Sequence, residues 1–198
     1  MLPNSDKKIK MHFGCGPRIL KGWVNIDLVY EPYESYLRFY GDKYYPLEIR
    51  GDKEDFYLFD IAKESLPFPD NSVDVIFHED FIEQISQKGQ ITFLAETYRV
   101  LKKGHIHRIN TPNLLVSMKN HSNFFKGFNG VFFSEWDTYH HLNVLTPKLL
   151  KEMALMVGYS KVIFSKRNVS LSKHIPLEYR PDPSDRPENG NIFADLIK

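Results

Sequence analysis

The chain of 198 residues is long enough to bury one sizeable core and short for two, so a single domain over 1–198 is expected. Its 26 Lys and Arg nearly cancel 25 Asp and Glu, leaving a formal charge of +1 and no global field to hold a polyanion, which makes nucleic acid an unexpected partner. No apolar run approaches the roughly 18 residues of a membrane span; residues 1–10 are polar where a signal peptide needs apolar ones, and the lone Cys15 cannot form an internal disulfide, so a cytoplasmic protein is expected.

Residues 8–13 alternate Ile9, Met11 and Phe13 with Lys10 and His12, the pattern of a half-buried strand, and Gly14-Cys15-Gly16-Pro17 breaks it. Residues 23–28 alternate again and carry Asp27 at the end of a second strand. Over 30–45 the aromatic residues Tyr30, Tyr33, Tyr36, Phe39, Tyr40 and Tyr44 recur at mostly three- and four-residue steps, which predicts a helix face in an aromatic-rich insertion spanning 30–59. Core packing is the plain role of such a stripe, and a platform for a ring or sugar is the functional one.

Residues 56–61 predict a short buried strand ending at Asp60-Ile61, and the Pro-rich turn 66–72 leads into an apolar strand over 73–77. His78-Glu79-Asp80 would then lie directly beyond that strand. The spacing of Phe93, Leu94, Tyr98 and Leu101 predicts a helix over 90–101 stopped by Lys102-Lys103-Gly104, with a strand over 105–111 behind it. Residues 113–144 loosen into Asn, Ser, Gly and aromatics, too long for an ordinary connection and therefore a candidate lid. Thr146-Pro147 caps and opens a helix that Gly158 ends, 161–166 is a strand, 175–191 is a Pro-rich, charged surface loop, and 192–197 is a closing strand suited to antiparallel pairing.

Strands alternating with helices of this length predict an α/β fold with a mostly parallel sheet and ligands at the carboxyl ends of its strands. Gly14 and Gly16 leave room for a ligand to approach the backbone, and Asp27, on the neighbouring strand, offers a carboxylate to two ribose hydroxyls. The dinucleotide fingerprint fails here, because Ile19 stands where a third glycine belongs and Asp27 follows Gly16 too closely for a full helix between the strands. A nicotinamide enzyme is disfavoured.

Phe13-Gly14-Cys15-Gly16, followed by Lys21-Gly22-Trp23-Val24-Asn25-Ile26-Asp27, resembles the opening of small class I S-adenosylmethionine-dependent methyltransferases of the type 11-like group found with polysaccharide and cell-envelope biosynthesis. Residues 66–76 resemble that family's approach to its fourth strand, 96–104 the helix and turn before its fifth, and 145–159 its late helix. The resemblance implies a Rossmann-like seven-stranded mostly parallel sheet with helices on both faces and the last strand antiparallel, and S-adenosyl-L-methionine as cofactor. It places Gly14, Cys15 and Gly16 along the methionine part, Asp27 with Leu28 at the ribose, Asp60 and Ile61 beside the adenine, and Glu79 near the methionine moiety. Phe81-Ile82-Glu83-Gln84 resembles the family's Phe-Ile-Glu-His with Gln84 in place of histidine, while Lys103 and His105 depart from its Pro-Gly-Gly turn.

Methyl transfer to a hydroxyl needs a proton removed, and histidine titrates near working pH. His141, with its neighbour His140, is the leading candidate base, and His78 beside Glu79 is the alternative; Trp136 and Tyr139 are candidate walls of the acceptor pocket. His105 and His107 share one strand face but lack a third ligand, so no metal is expected. The stretch 78–81 lacks the Asn/Asp-Pro-Pro-aromatic pattern of enzymes that methylate amino groups of bases or glutamine. That disfavours nucleic-acid methylation, and the resemblance to proteins of sugar and cell-envelope biosynthesis implies O-methylation of a small molecule or carbohydrate, with the homodimer left open; a non-catalytic S-adenosylmethionine-binding scaffold subunit is the alternative.

Overall fold

The fold is described from a computed structural model, covering residues 8–31, 37–121, 132–181 and 187–198; side chains of 37–40, 120–121 and 132–134 lie outside that description. The two alternating segments near the start form parallel strands β1 (Lys10–Phe13) and β2 (Val24–Asp27), with Met11 opposite Val24. A loop alone joins them, as the short spacing from Gly16 to Asp27 required. β3 (Phe56–Leu58) adds parallel to β2, and β4 (Val73–Glu79) adds parallel to the other side of β1.

β4 is two residues longer than its apolar run, because all seven of its residues are buried and both faces of the strand are covered. β5 (Leu101–Pro112) begins directly at the end of the helix over 87–100 rather than after Gly104, whose φ of 75° bends the chain within the strand. β6 (Lys161–Phe164) and β7 (Asn191–Ile197) complete the order β3-β2-β1-β4-β5-β7-β6, with β7 antiparallel to both of its neighbours. The seven-stranded sheet with an antiparallel last strand thus follows the sequence expectation. Strand order reverses between β1 and β4, and ligands of such sheets bind in the crevice at that switch point.

Helix α1 (Leu37–Tyr44) is interrupted at Gly41, with φ 58° and ψ 171°. Helix α2 (Gln87–Val100) starts three residues earlier than its apolar spacing indicated, because the Ser86 side chain accepts the Gly89 N–H and caps it. α3 is Leu114–His121, a π-helical turn covers Phe132–Thr138, and α4 (Pro147–Val157) has the predicted Thr146 cap, Pro147 start and Gly158 end. α2 and α4 pack together on one sheet face, where Phe13, Ile76, Phe93, Leu94, Ile109, Leu150, Ala154 and Leu196 form the main core. The opposite face is covered by the end of α1 and by 44–50 and 165–181, over a smaller cluster of Leu20, Trp23, Tyr45, Val75 and Phe77. No helix among the described residues is long and apolar enough to cross a membrane.

Of the aromatic segment, Tyr33 and Tyr36 lie outside the described residues, as do the side chains of Phe39 and Tyr40. Tyr30 packs edge-on against Phe56 at 5.3 Å, and the buried Tyr45 donates its hydroxyl to Ile19 O at 2.5 Å, so these two rings support structure. Of the candidate lid, 122–131 lies outside the description. The predicted surface loop 175–191 departs most from expectation: Glu178 and Tyr179 are buried, because Glu178 pairs with Arg108 beneath it.

Candidate active site

The glycine loop turns sharply off β1 through Gly14 and Gly16, at φ 58° and 47°, a backbone region unfavourable to residues with a Cβ. A Cβ at Gly14 would also lie 2.6 Å from the Phe81 ring, so Phe81 and the loop meet at closest approach. At Gly16 nothing lies within 4 Å of that position, which leaves an open cradle. Asp27 fixes the loop: its Oδ2 accepts Gly16 N–H at 2.8 Å and its Oδ1 accepts Leu28 N–H at 2.7 Å. Each carboxylate oxygen keeps a second lone pair for a ligand hydroxyl. Cys15 is buried, and burial together with the Asp27 charge pushes its thiol pKa up, so it stays protonated and lines the loop inertly.

Two recesses flank this loop at the switch point. The first, about 220 Å³, is lined by His12, Gly14, Cys15, Gly16, Arg18, Glu79, Asp80 and Arg180. The second, an apolar slot, is lined by Phe13, Ile26, Asp27, Leu28, Phe59, Asp60, Ile61, Phe81 and Ile85. Together they bring all eight predicted cofactor residues around one site. Gly14, Cys15, Gly16 and Glu79 line the larger recess; Asp27, Leu28, Asp60 and Ile61 line the slot.

Glu79 is not open to solvent as a lone carboxylate. Arg18 Nη1 donates to its Oε2 at 2.5 Å, while Asn110 Nδ2 and Arg180 N donate to its Oε1 at 3.2 and 3.0 Å. Burial raises its pKa, and the Arg18 guanidinium opposes that shift. Arg18, 2 % exposed, donates through Nη2 to Tyr44 O at 2.7 Å and Leu177 O at 2.6 Å, tying three separate segments under the recess. His12 forms part of the floor, stacked on Phe77, and burial followed by the Arg18 charge lowers its pKa to about 3, so it is neutral.

The predicted bases separate. His141 is 4 % exposed, and its Nδ1 lies 2.7 Å from Glu135 Oε2, with Nε2 3.9 Å from Glu83 Oε1. Ser117 donates its hydroxyl to Glu135, and Thr111 donates to Glu83 Oε2 at 2.8 Å. Glu83 O also accepts Leu142 N–H and Asn143 N–H, at 2.8 and 3.1 Å, and Gln84 Nε2 reaches Tyr139 O at 3.5 Å. His141 is therefore clamped between two buried carboxylates on a loop fixed to the turn after β4, while the adjacent His140 is exposed at φ 55°.

His78 departs from the sequence expectation. As part of β4 rather than beyond it, its ring enters the helix-covered face among Phe81, Phe93 and His107, with neither ring nitrogen hydrogen-bonded. Burial drives its pKa well below the usual value, so it is a neutral residue packed in the core. His107 lies in the same layer, its Nδ1 3.2 Å from Tyr159 Oη, and His105 lies 2.7 Å from Asp74 O.

Sequence reasoning passed over Arg18 and Arg180, and it singled out the stretch holding Asp80 and Phe81 without giving either a site role. Arg18 follows Gly16 by two residues and offered a signal, a charge inside an otherwise small and apolar loop. Arg180, distant in sequence and within a charged loop, offered none.

Comparison with known proteins agrees with this fold. A model of the methyltransferase domain family matches residues 43–108, which starts after the glycine loop and runs into β5. No curated protein matches the chain. In structure the chain is similar to an S-adenosylmethionine-dependent methyltransferase from Archaeoglobus fulgidus, with a TM-score of 0.58 at 16 % identity over 98 % of this chain and 87 % of that one. It is also similar to an S-adenosylmethionine-dependent methyltransferase from Mesorhizobium loti, with a TM-score of 0.55 at 13 % identity, covering 100 % and 94 % of the two chains. Phosphoethanolamine N-methyltransferase 2 of Haemonchus contortus, in complex with S-adenosyl-L-methionine, gives a TM-score of 0.52 at 16 % identity over 83 % of this chain and 36 % of its own.

At these identities the structural likenesses establish the fold. The family match over a third of the chain and the fold support an S-adenosylmethionine-dependent methyltransferase, and they do not favour a non-catalytic scaffold.

Proposed function

We propose that the protein transfers a methyl group from S-adenosylmethionine to a hydroxyl of a small-molecule or carbohydrate acceptor. The observation that carries this reading is the convergence of two recesses on the glycine loop and Asp27, one polar and one apolar, at the strand-order switch. Asp27 is the ribose ligand, the slot formed by Leu28, Phe59, Ile61 and Phe81 takes the adenine, and the recess at Gly14, Cys15 and Gly16 takes the methionine end. When bound, the cofactor supplies a sulfonium methyl carbon to an in-line nucleophile. The chain's own task is to hold the acceptor in line, exclude water and take a proton.

His141 is suited to the proton. With Nδ1–H donated to Glu135, a tautomer assigned from that contact, its Nε2 is the accepting nitrogen. Glu83 Oε1 stands 3.9 Å from Nε2, on the side to which a hydroxyl proton would move. Positioned bases of this kind contribute about 10² to 10⁴ in rate. The test is a methyl-labelled cofactor offered with sugars, alcohols and phenols, and separately with amines, the products being identified by mass spectrometry. Label on oxygen, with His141→Gln lowering turnover about 100-fold at unchanged cofactor affinity, is expected. Label on amines alone, or an unimpaired variant, would overturn the assignment.

A further inference from the structure

Two arginines line the polar recess, and they stand in different environments. Arg18 is built into the floor by Glu79, Tyr44 O and Leu177 O. Arg180 enters from the far end of the sequence, on the connection between β6 and β7, with its side chain 40 % exposed at the rim.

That connection is anchored across the sheet. Arg108, fully buried on β5, donates through Nε and Nη2 to both oxygens of Glu178 at 2.8 Å each, and through Nη2 to Lys166 O at 2.9 Å. Asn168 N donates to Glu178 Oε2 and Glu178 N donates back to Asn168 Oδ1, both at 2.6 Å. Two residues on, the backbone of Arg180 is held at both ends: its N–H donates to Glu79 Oε1 at 3.0 Å and its O accepts from Asn110 Nδ2 at 3.0 Å. Its guanidinium stands 5.3 Å above the Tyr179 ring, with Nε 3.7 Å from Asp80 Oδ2.

Asp80 is held with equal care. It occupies a left-handed conformation at φ 46°, unusual for a residue other than glycine, maintained by its N–H to Asn110 O at 2.9 Å and by Asn191 Nδ2 to its Oδ1 at 2.9 Å. Strain of this kind persists where surrounding structure over-determines it, and it concentrates at ligand sites.

The result is a cation and an anion set side by side at the mouth of a recess whose floor charge, Glu79, is already balanced by Arg18. An α-amino acid carries the complementary pair, a carboxylate next to an ammonium. We propose that Arg180 and Asp80 form the receptor for the amino-acid end of the cofactor, Arg180 taking the α-carboxylate and Asp80 the α-ammonium. This rests on the cofactor reading above and adds to it a specificity-determining residue delivered by the β6–β7 connection. The buried Arg108–Glu178 pair thereby acts on binding through the placement of Arg180.

The test is calorimetric titration of the full chain with S-adenosylhomocysteine and with 5′-methylthioadenosine, which keeps the nucleoside and thioether but lacks the amino-acid end. The wild type is expected to prefer S-adenosylhomocysteine by about tenfold or more, as loss of charge-assisted bonds implies. Arg180→Gln, which leaves the backbone contacts to Glu79 and Asn110 in place, is expected to remove about tenfold of that affinity while binding methylthioadenosine as before. Asp80→Asn, which tolerates the left-handed backbone, should show the same ligand-selective loss. Equal losses for both ligands, or none, would overturn the proposal. Wild-type binding of the two ligands with equal affinity would overturn it while sparing the nucleoside site, and binding of neither would overturn the cofactor reading itself.

Discussion

The two faces of the sheet are stabilised by different chemistry. Under α2 and α4 the layer is apolar, close-packed and built from Phe, Ile, Leu and Met, with His78 and His107 held neutral inside it. On the opposite face buried charges do the corresponding work: Arg108 with Glu178 and Asp195, and Arg18 with Glu79, fasten 165–181 and the glycine loop where a helix between β1 and β2 is missing. Apolar packing is non-directional and tolerates relaxation, whereas a buried ion pair is unforgiving of the loss of one partner. The face that carries the polar recess is therefore the one whose geometry is set by directional bonds.

The sharpest way to break this contrast is Glu178→Ala, which leaves Arg108 buried without its bidentate partner. Removing one member of a buried pair costs about 3 to 5 kcal/mol, and denaturant unfolding should show a loss of that size. Replacing both, as Arg108→Met with Glu178→Met, should recover most of it. Leu150→Ala on the apolar face should cost about 2 to 5 kcal/mol, yet the two variants should part in a second measurement. Glu178→Ala should also weaken S-adenosylhomocysteine binding, because 177–180 reaches the recess, while Leu150→Ala should leave binding unchanged. Equal effects on binding would dissolve the distinction.

Acidification probes both faces at once. His12 and His107 have folded pKa values lowered to about 3 by burial, against 6.5 when unfolded, so between those values the unfolded chain binds more protons. Stability contributed by their neutral state is intact above pH 6.5 and is lost as pH falls toward 3, at roughly 2 kcal/mol per histidine by pH 5. His107→Gln should flatten the dependence of unfolding free energy on pH; an unchanged slope would place the acid sensitivity elsewhere. The smallest effect is expected from Thr146→Ala, which removes the cap bond to Leu149 N–H at 3.1 Å and should cost about 1 kcal/mol in the same unfolding assay.

The apolar face was legible in the sequence because periodicity encodes it. Phe93, Leu94 and Tyr98 announced α2, Thr146-Pro147 and Gly158 bounded α4, and the glycine break followed by Asp27 marked the cofactor loop. His78 misled because both faces of β4 are buried, so alternation no longer distinguishes the side chain aimed at the cleft from the one aimed at the core. The charged residues of 175–181 misled for a related reason. Composition signals exposure only while charges are unpaired, and the partner of Glu178 is 70 positions away on β5. His141 was found by chemical type, but Glu135 and Glu83, which flank it, come from a π-helical segment and a turn that no local pattern connects.

Binding at the glycine loop is the claim on which the functional account stands. Its most direct test is calorimetric titration of the wild type and Asp27→Asn with S-adenosylmethionine, the variant retaining shape while losing the carboxylate. The account predicts micromolar or tighter binding by the wild type, weakened about tenfold or more in the variant, the size expected for charge-assisted bonds to the ribose. No binding by the wild type, or the same affinity in both proteins, would contradict it.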